Sequence, residues 1–236
     1  MHFTNKQVVV TGGTGALGSA VVAGLLAHGA TCIVPYRSES EAQSFAHRDN
    51  ANVRLIAASD LSDEAEVAKV YAGVTASTPL WASIHIAGGF APGKVAETDK
   101  AKLMAQLEGN LVSCFLCCRA AVKAMLAGGQ GGRIVNVAAR QAVEQRSGAG
   151  MTAYTIAKSG VATLTMALAE EVARDGILVN AVAPSIMDTS ANRKAMPKAD
   201  FDTWPRVEDV AATILFLASE DNRVTRGGIV PVFGKF

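Results

Sequence analysis

Two residues suited to proton transfer stand four positions apart in the second half of the chain. In the stretch AYTIAK, Tyr154 and Lys158 would lie on one face of a helix, one turn apart. A nearby ammonium group stabilises a phenolate, so we expect Lys158 to lower the pKa of Tyr154 from its ordinary value of about 10. The pair therefore indicates a site at which Tyr154 acts as a general acid.

The strand before this pair, RIVNVAA, lacks a hydroxyl that a carbonyl-reducing site would use. Negative charge develops on a ketone oxygen as it is reduced, and a second hydrogen-bond donor stabilises that charge. Ala138 and Ala139 stand where the donor is expected. Either Gln141, Ser147 or Thr152 supplies the missing hydrogen bond, or the substrate does not require it.

Composition and charge limit the class of protein. The chain has 236 residues, 50% of them hydrophobic and 18% charged, which suits one large domain with a full core. The net charge of +1 provides no basic field for nucleic acid. No run reaches the roughly 18 consecutive apolar residues of a membrane span, and the chain starts in a strand rather than a signal peptide. We expect a cytoplasmic enzyme with a small-molecule substrate and neither nucleic-acid nor membrane partners.

The four cysteines are Cys32, Cys114, Cys117 and Cys118. The last three lie in VSCFLCCRAAV, which is typical of a helix interior, and no histidine or second cysteine pair is near them in sequence to complete four metal ligands. We interpret them as small buried hydrophobic residues and predict no metal site.

Short apolar runs alternate with longer helical runs along the chain. Strands are predicted at 7–12, 30–36, 53–58, 80–88, 133–139, 177–183 and 228–233, and helices near 17–28, 38–48, 62–76, 98–127, 152–174 and 206–219. Apolar runs with little alternation indicate parallel strands buried on both faces. The pattern predicts a single α/β domain over 1–236, with a doubly wound, Rossmann-type, seven-stranded parallel sheet and helices on both faces.

The longest stretch without a clear secondary-structure pattern is 184–205. Loops of this length in compact domains are usually functional or disordered. Its large side chains, among them Met187, Phe201 and Trp204, favour a lid over the substrate.

A glycine-rich turn, TGGTGALG, joins the first predicted strand to the first predicted helix. Glycine allows the backbone to approach a pyrophosphate group, and the helix N-terminus offers unpaired N–H groups to it. Because Gly12, Gly13, Gly15 and Gly18 follow a strand and open a helix, the context favours a dinucleotide site.

The end of the second predicted strand bears on the choice between NAD(H) and NADP(H). An acidic residue there would bind the adenosine ribose, whereas arginine suits a 2′-phosphate. Tyr36 and Arg37 occupy this position, with no acid before Glu39, although Gly15 leaves the glycine turn without a second basic residue. NADP(H) is therefore favoured, with NAD(H) as the alternative.

Together these motifs resemble the short-chain dehydrogenase/reductase family over essentially the whole chain. The matching segments are TGGTGALG at 11–18, SDL at 59–61, AGG at 87–89, LEGNLVSCF around Asn110, YTIAK at 154–158 and VNAVAPSIMDT at 179–189. The resemblance implies that Tyr154 is the proton donor and that Lys158 binds the nicotinamide ribose. It implies that Asn110 holds a water linking Lys158 to solvent.

The resemblance also implies which residues bind the cofactor. They are Gly12, Thr14, Gly15, Ala16, Leu17, Gly18, Tyr36, Arg37, Asp60, Leu61, Ala87, Gly88, Gly89, Lys158, Pro184, Met187 and Thr189.

The sequence departs from the family pattern at several positions. Ala16 replaces a glycine of the turn, and Ser185 replaces a glycine after Pro184. His85 and Ile86 stand where many members have two asparagines, so we expect a strand-stabilising polar contact to be absent.

Within that family, the pattern is similar to the quinonoid dihydropteridine reductase branch, with its AGG, its alanine at the serine position and a segment like Asp188 to Trp204 here. Hydride addition to a quinonoid dihydropterin restores an electron-rich ring, which needs a proton more than an oxyanion donor. The sequence thus predicts an NAD(P)H-dependent reductase of such a substrate or of a similar conjugated C=N or quinone compound. The alternatives are a broad carbonyl or 3-oxoacyl reductase and a non-catalytic NADP(H)-binding sensor.

The family resemblance further implies a homodimer or homotetramer. In that family the helices near 98–127 and 152–174 pair with a twofold copy. The alternative is that both helices only pack on the sheet.

Overall fold

Seven parallel strands form one sheet in the computed structural model, which describes residues 1–74 and 78–235. The order across the sheet is β3-β2-β1-β4-β5-β6-β7, which confirms the predicted doubly wound fold. The central strands are buried on both faces, as all five residues of β1 illustrate, whereas the edge strands β3 and β7 are partly exposed. Their bounds are β1 Gln7–Thr11, β2 Thr31–Tyr36, β3 Val53–Ala57, β4 Leu80–His85, β5 Gly132–Val137, β6 Ile177–Pro184 and β7 Ile229–Val232.

Helices cover both faces of this sheet. Two large hydrophobic clusters form most of the core, one containing side chains of α1 and α9 and the other side chains of α5 and α7, and a smaller third cluster lies between α3 and α5. The helices are α1 Ala16–Ala27, α2 Glu39–Ser44, α3 Glu64–Ala72, α4 Lys100–Gln106, α5 Ser113–Gly128, α6 Arg140–Val143, α7 Thr152–Glu171, α8 Ser190–Ala195 and α9 Val207–Ala218.

The strand order reverses at β1, which pairs with β2 on one side and β4 on the other. Chain crossovers diverge at such a point and leave a crevice beyond the carboxyl ends of the strands. The ends of β1, β4, β5 and β6 share this edge because the strands are parallel. The glycine turn, the AGG segment and the start of α6 therefore meet there.

Local sequence signals set several helix ends. The Asp63 carboxylate caps α3 by accepting from the backbone N–H groups of Ala65 and Glu66. Asp99 caps α4 in the same way, and α5 is followed by Gly129 in the left-handed conformation. The predicted end of the helix at 62–76 lies outside the described residues.

The helix predicted at 98–127 is interrupted by a π turn. α4 ends at Gln106, the π turn spans Leu107–Val112, and α5 begins at Ser113. Asn110 lies within this turn and is almost fully buried. Such turns occur often at functional sites, and hydrophobic periodicity does not reveal them.

One helical run of the described residues, Lys100–Gly128, is long and apolar enough to cross a membrane by length and composition, with a mean hydropathy of 1.6. Charged residues such as Glu108 and Arg119 interrupt it, so it is not an unbroken apolar run. In the fold, Cys118, Ala121 and Met125 of this run belong to the core cluster that packs on the sheet. The run is therefore accounted for as a core helix.

The segment 184–205 contains more secondary structure than its sequence predicts. It includes α8 and a 3-10 turn at Phe201–Thr203, and Trp204 is buried. The hydroxyl of Thr189 caps α8 by accepting from the backbone N–H of Asn192 at 3.1 Å. The expectation of a stretch without regular structure is wrong, because helices this short carry little periodicity.

Replacing Gly18 should destabilise the fold. A β-carbon at Gly18 would lie 2.0 Å from the carbonyl oxygen of Gly12, whereas one at Gly15 would lie 3.4 Å from the same atom. We expect Gly18→Ala to lower the free energy of unfolding by about 3 kcal/mol. The control Gly15→Ala should change it by less than about 1 kcal/mol. Urea denaturation measures both, and equal losses would contradict this account of the turn.

Candidate active site

The glycine turn packs directly against the end of β4. Gly12 has a φ of +67°, and a β-carbon there would lie 2.7 Å from the backbone nitrogen of Ala87. The backbone N–H of Ala87 donates to the hydroxyl of Thr11 at 3.3 Å. Among the described residues, no side chain caps the N-terminus of α1. Its first amide groups therefore face the crevice and can bind an anionic group.

A cleft of about 490 Å³ opens above this turn. It extends from the end of β2 to the π turn, as its lining residues show. The predicted cofactor residues that line it are Gly12, Thr14, Gly15, Ala16, Leu17, Gly18, Tyr36, Arg37, Asp60, Leu61, Ala87, Gly88 and Gly89, together with the predicted catalytic Asn110. Tyr154, Lys158, Pro184, Met187 and Thr189 are not among its lining residues.

Polar groups in this cleft fit a dinucleotide. The side-chain oxygen of Gln106, which lines the cleft, is buried and has no hydrogen-bond partner among the described residues. A hydroxyl of a bound ligand would satisfy it. At the other end, Asp60 accepts from the hydroxyl and the backbone N–H of Ser62, which lowers the pKa of its carboxyl group. Together with the glycine turn, these groups provide sites for hydroxyl and phosphate groups.

Asn110 holds the AGG segment in place. Its side-chain nitrogen donates to the carbonyl of Gly89 at 3.0 Å, and its oxygen accepts from the Gly89 N–H at 3.2 Å. A β-carbon at Gly88 would lie 2.5 Å from the Asn110 oxygen and 3.5 Å from the Lys158 ammonium nitrogen. Only glycine fits between these two side chains. The water-holding role of Asn110 stays a prediction.

The side chain of Lys158 is buried beneath the site. It is 6% exposed, and its ammonium group donates to the carbonyl of Val137 at 2.8 Å. Burial disfavours the charged form and lowers the Lys158 pKa from 10.5 to about 8. This lysine therefore loses its proton near pH 8, well below the usual range for lysine.

Tyr154 differs from its sequence-based expectation. Burial raises the Tyr154 pKa to about 12. The expectation that Lys158 lowers this pKa is wrong for this structure, because desolvation dominates while the ammonium group is bonded to the Val137 carbonyl. Tyr154 is consequently protonated at neutral pH.

Phe90, which sequence reasoning missed, packs edge-on against Tyr154. The ring centroids are 5.1 Å apart and the ring planes make an angle of 89°. Phe90 is nevertheless 58% exposed. Its segment is tied to the turn before α7 by a hydrogen bond from the Gly93 N–H to the Gly150 carbonyl at 2.8 Å. The aromatic residue directly after AGG was the signal available in the sequence.

His85 forms the polar contact that was expected to be absent. One ring nitrogen lies 2.8 Å from the side-chain oxygen of Asn136, and the other lies 2.8 Å from the hydroxyl of Ser83. Asn136 in turn donates to the hydroxyl of Thr165 at 2.9 Å. His85 thus joins β4 to β5, and the expectation was wrong because a larger side chain spans the same gap.

The cysteines on α5 are buried and free, as their interpretation as small hydrophobic residues requires. However, β4 brings His85 close to two of them: the ligand atoms of His85, Cys114 and Cys118 all lie within 4.8 Å of one another. No histidine lies near these cysteines in sequence, but the fold brings His85 next to them. Asn136 and Ser83 already hydrogen-bond both ring nitrogens of this histidine.

No hydroxyl occupies the end of β5 in the described residues. Ala138 and Ala139 are both buried there. Of the residues considered as substitutes, Ser147 donates its hydroxyl to the carbonyl of Glu144 at 2.7 Å. Gln141 in α6 and Thr152 at the start of α7 remain as candidates.

Residues after β6 mainly organise their own segment. Met187 packs against a core cluster. Arg193 makes two hydrogen bonds to the Asp188 carboxylate, at 2.6 and 2.8 Å, and lies over the ring of Phe201 at 4.7 Å. Arg193 is therefore held by its own segment.

Comparison with known proteins identifies the family. The family model for short chain dehydrogenases matches residues 6–200. Galactitol 2-dehydrogenase from Rhizobium johnstonii is 32% identical over 245 residues, covering 98% of this chain and 95% of that protein. Carbonyl reductase family member 4 from Danio rerio is 30% identical over 219 residues, covering 90% and 91%. The solved structure of ElxO with NADP bound matches with a TM-score of 0.86 and 26% identity, covering 97% of each chain.

The chain belongs to the short-chain dehydrogenase/reductase family. It is accordingly an NAD(P)-dependent oxidoreductase. The different substrates in the names of its relatives leave its own substrate to be inferred from the site.

The lowered pKa of Lys158 predicts that the stability of the fold depends on pH. Between about pH 8 and pH 10.5 the unfolded chain holds this proton and the folded chain does not, so stability rises with pH across that window. From pH 7.5 to pH 10 the gain from this group is about 2 kcal/mol. The Lys158→Met variant lacks this titrating group. The difference in unfolding free energy between the native protein and the variant should therefore be larger at pH 10 than at pH 7.5, by about 2 kcal/mol in favour of the native protein. Urea denaturation at both pH values tests this, and a constant difference would refute it.

Proposed function

We propose that this protein is an NADP(H)-preferring reductase, with NAD(H) as an alternative cofactor, whose substrate is a quinonoid dihydropterin or a similar conjugated C=N or quinone compound. The observation that carries the proposal is the combination of a proton donor, Tyr154, with two buried alanines at the end of β5. Tyr154 would donate the proton, whereas neither alanine can act as a second donor to an oxyanion.

The proposed roles follow from the charge states of the site. A bound nicotinamide would supply the hydride. Tyr154, protonated at neutral pH, donates its proton to the substrate. Lys158 is largely charged below about pH 8, and its ammonium group is bonded to the Val137 carbonyl. Asn110 keeps the AGG segment beside both residues.

The remaining cofactor contacts are proposed as the family resemblance implies them. The glycine turn from Gly12 to Gly18 would bind the pyrophosphate, Arg37 the 2′-phosphate, and Asp60 with Leu61 the adenine. Residues at the start of the segment 184–205, a proposed substrate lid, would meet the carboxamide. Lys158 would bind the nicotinamide ribose.

The substrate class follows from where negative charge develops. In a ketone the charge concentrates on one oxygen, and losing one oxyanion donor typically costs about 10²–10³ in rate. In a quinonoid dihydropterin it spreads over several ring nitrogens, so a proton from Tyr154 suffices. The exposed ring of Phe90 beside Tyr154 adds an apolar surface suited to a planar ring.

A broad carbonyl reductase is the second candidate. The relative named as a carbonyl reductase favours it, and it requires Gln141 or Thr152 to replace the missing donor. A non-catalytic sensor would have no need for the Tyr154–Lys158 pair.

We also propose that the protein is a cytoplasmic, single-domain homodimer or homotetramer. Large apolar side chains on α5 and α7 support the assembly, since Phe115, Leu126, Ile156 and Met166 are each about half exposed.

Turnover with a quinonoid dihydropterin generated in place should distinguish these functions. We expect purified protein to oxidise NADPH faster than NADH, and Tyr154→Phe to reduce turnover at least about 100-fold. NADPH binding by the variant, followed by cofactor fluorescence, should be unchanged. Absence of turnover by the native protein would reject the pterin proposal, and undiminished turnover by the variant would reject Tyr154 as the donor.

Restoring a hydroxyl at the end of β5 should change the substrate preference. We expect Ala139→Ser or Ala138→Ser, whichever faces the substrate, to raise kcat/KM for an aromatic ketone at least about tenfold. The other variant serves as the matched control, and pterin reduction should stay constant in both. Efficient ketone reduction by the native protein, unimproved by either serine, would favour the carbonyl reductase instead.

A further inference from the structure

The charged residues of the cofactor cleft include an acid, Glu41, in addition to the predicted Arg37 and Asp60. Among the described residues that line the cleft, the charged ones are Arg37, Glu41 and Asp60. One cation therefore faces two anions. Asp60 hydrogen-bonds to Ser62 after β3, whereas Glu41 lies in the first turn of α2, beside the end of β2.

The Glu41 carboxylate already accepts hydrogen bonds from two donors of Arg37. One oxygen accepts from the Arg37 backbone N–H at 2.9 Å, and the other accepts from its guanidinium group at 3.2 Å. A phosphate at the end of β2 would call on these same donors, since arginine binds phosphate through its guanidinium fork. The Arg37 side chain is 76% exposed, so it is free to turn toward a ligand, but the carboxylate would remain beside it.

The neighbouring acid, Glu39, is arranged differently. It accepts a hydrogen bond from the hydroxyl of Tyr36 at 2.9 Å and does not line the cleft. Glu39 and Glu41 thus have the same charge in the same short helix, but only Glu41 is bonded to Arg37. This difference provides a matched control.

We infer that Glu41 sets the cofactor specificity by competing with the 2′-phosphate of NADP(H) for Arg37. The inference rests on the proposed binding of a dinucleotide in this cleft. A phosphate monoester brings nearly two negative charges next to this carboxylate, and the repulsion opposes NADP(H) alone. With NAD(H), the same carboxylate accepts a hydrogen bond from the 2′-hydroxyl. Glu41 therefore weakens the preference for NADP(H) over NAD(H) that Arg37 creates.

Dissociation constants for NADP⁺ and NAD⁺, measured by isothermal titration calorimetry at low salt, test this role. Glu41→Gln removes the charge but keeps an oxygen that can accept from the Arg37 N–H. We expect it to tighten NADP⁺ binding about fivefold or more, because one repulsion between unit charges at about 4 Å in water is about 1 kcal/mol. NAD⁺ binding should stay the same or weaken, and Arg37→Ala should weaken NADP⁺ selectively.

The control and the contrary outcomes separate this inference from the proposed function. Glu39→Gln should leave the ratio of the two constants unchanged. Weaker NADP⁺ binding by Glu41→Gln would show that Glu41 orients Arg37 for the phosphate and would overturn the inference, as would an equal effect of Glu39→Gln. If the native protein binds neither dinucleotide, the proposed function fails and this inference with it. Thermal unfolding of each variant verifies that it is folded.

Discussion

The lack of space for β-carbons at the ends of β1 and β4 determines the arrangement of the rest of the site. A methyl group at Gly12 would come within 2.7 Å of the Ala87 nitrogen, and one at Gly88 within 2.5 Å of the Asn110 side chain. The glycine turn, the AGG segment and the π turn therefore meet through their backbones. Because they approach so closely, the cleft opens directly over the ends of the strands, and Lys158 reaches the same point from α7.

Burial then controls the chemistry of the two titrating residues. It raises the pKa of Tyr154 and lowers that of Lys158, so both shift toward their neutral forms for one reason. The carbonyl of Val137 stabilises the lysine charge, but the burial effect remains larger. A group that fills the cleft and brings its own polar atoms near the pair would alter this balance. The proton-transfer properties of the site are consequently tied to how the cleft is occupied.

The sequence predicts features that depend on residues close together in the chain. It does not predict contacts between residues that are far apart in the chain. The seven strands and the glycine turn follow from local apolar runs and local glycines, which is why their positions agree with the structure. The contact between His85 and Asn136 joins residues 51 positions apart, and the bond from Lys158 to the Val137 carbonyl depends on how α7 packs on β5. Glu41 stands only four residues after Arg37, but Arg37 precedes the helix that contains Glu41, so a helical pattern does not predict their contact.

The π turn at Leu107–Val112 also determines how α4 is rotated relative to α5 about their common helix axis. A wide turn accommodates an extra residue, so the faces of α4 and α5 are offset relative to a continuous α-helix. Removing a single residue from this turn would rotate one part by about 100° against the other. Either Asn110 would leave the AGG segment, or the Cys114 and Cys118 face would leave the core. In this short interval, the number of residues therefore fixes the orientation of Asn110 relative to the core face of α5.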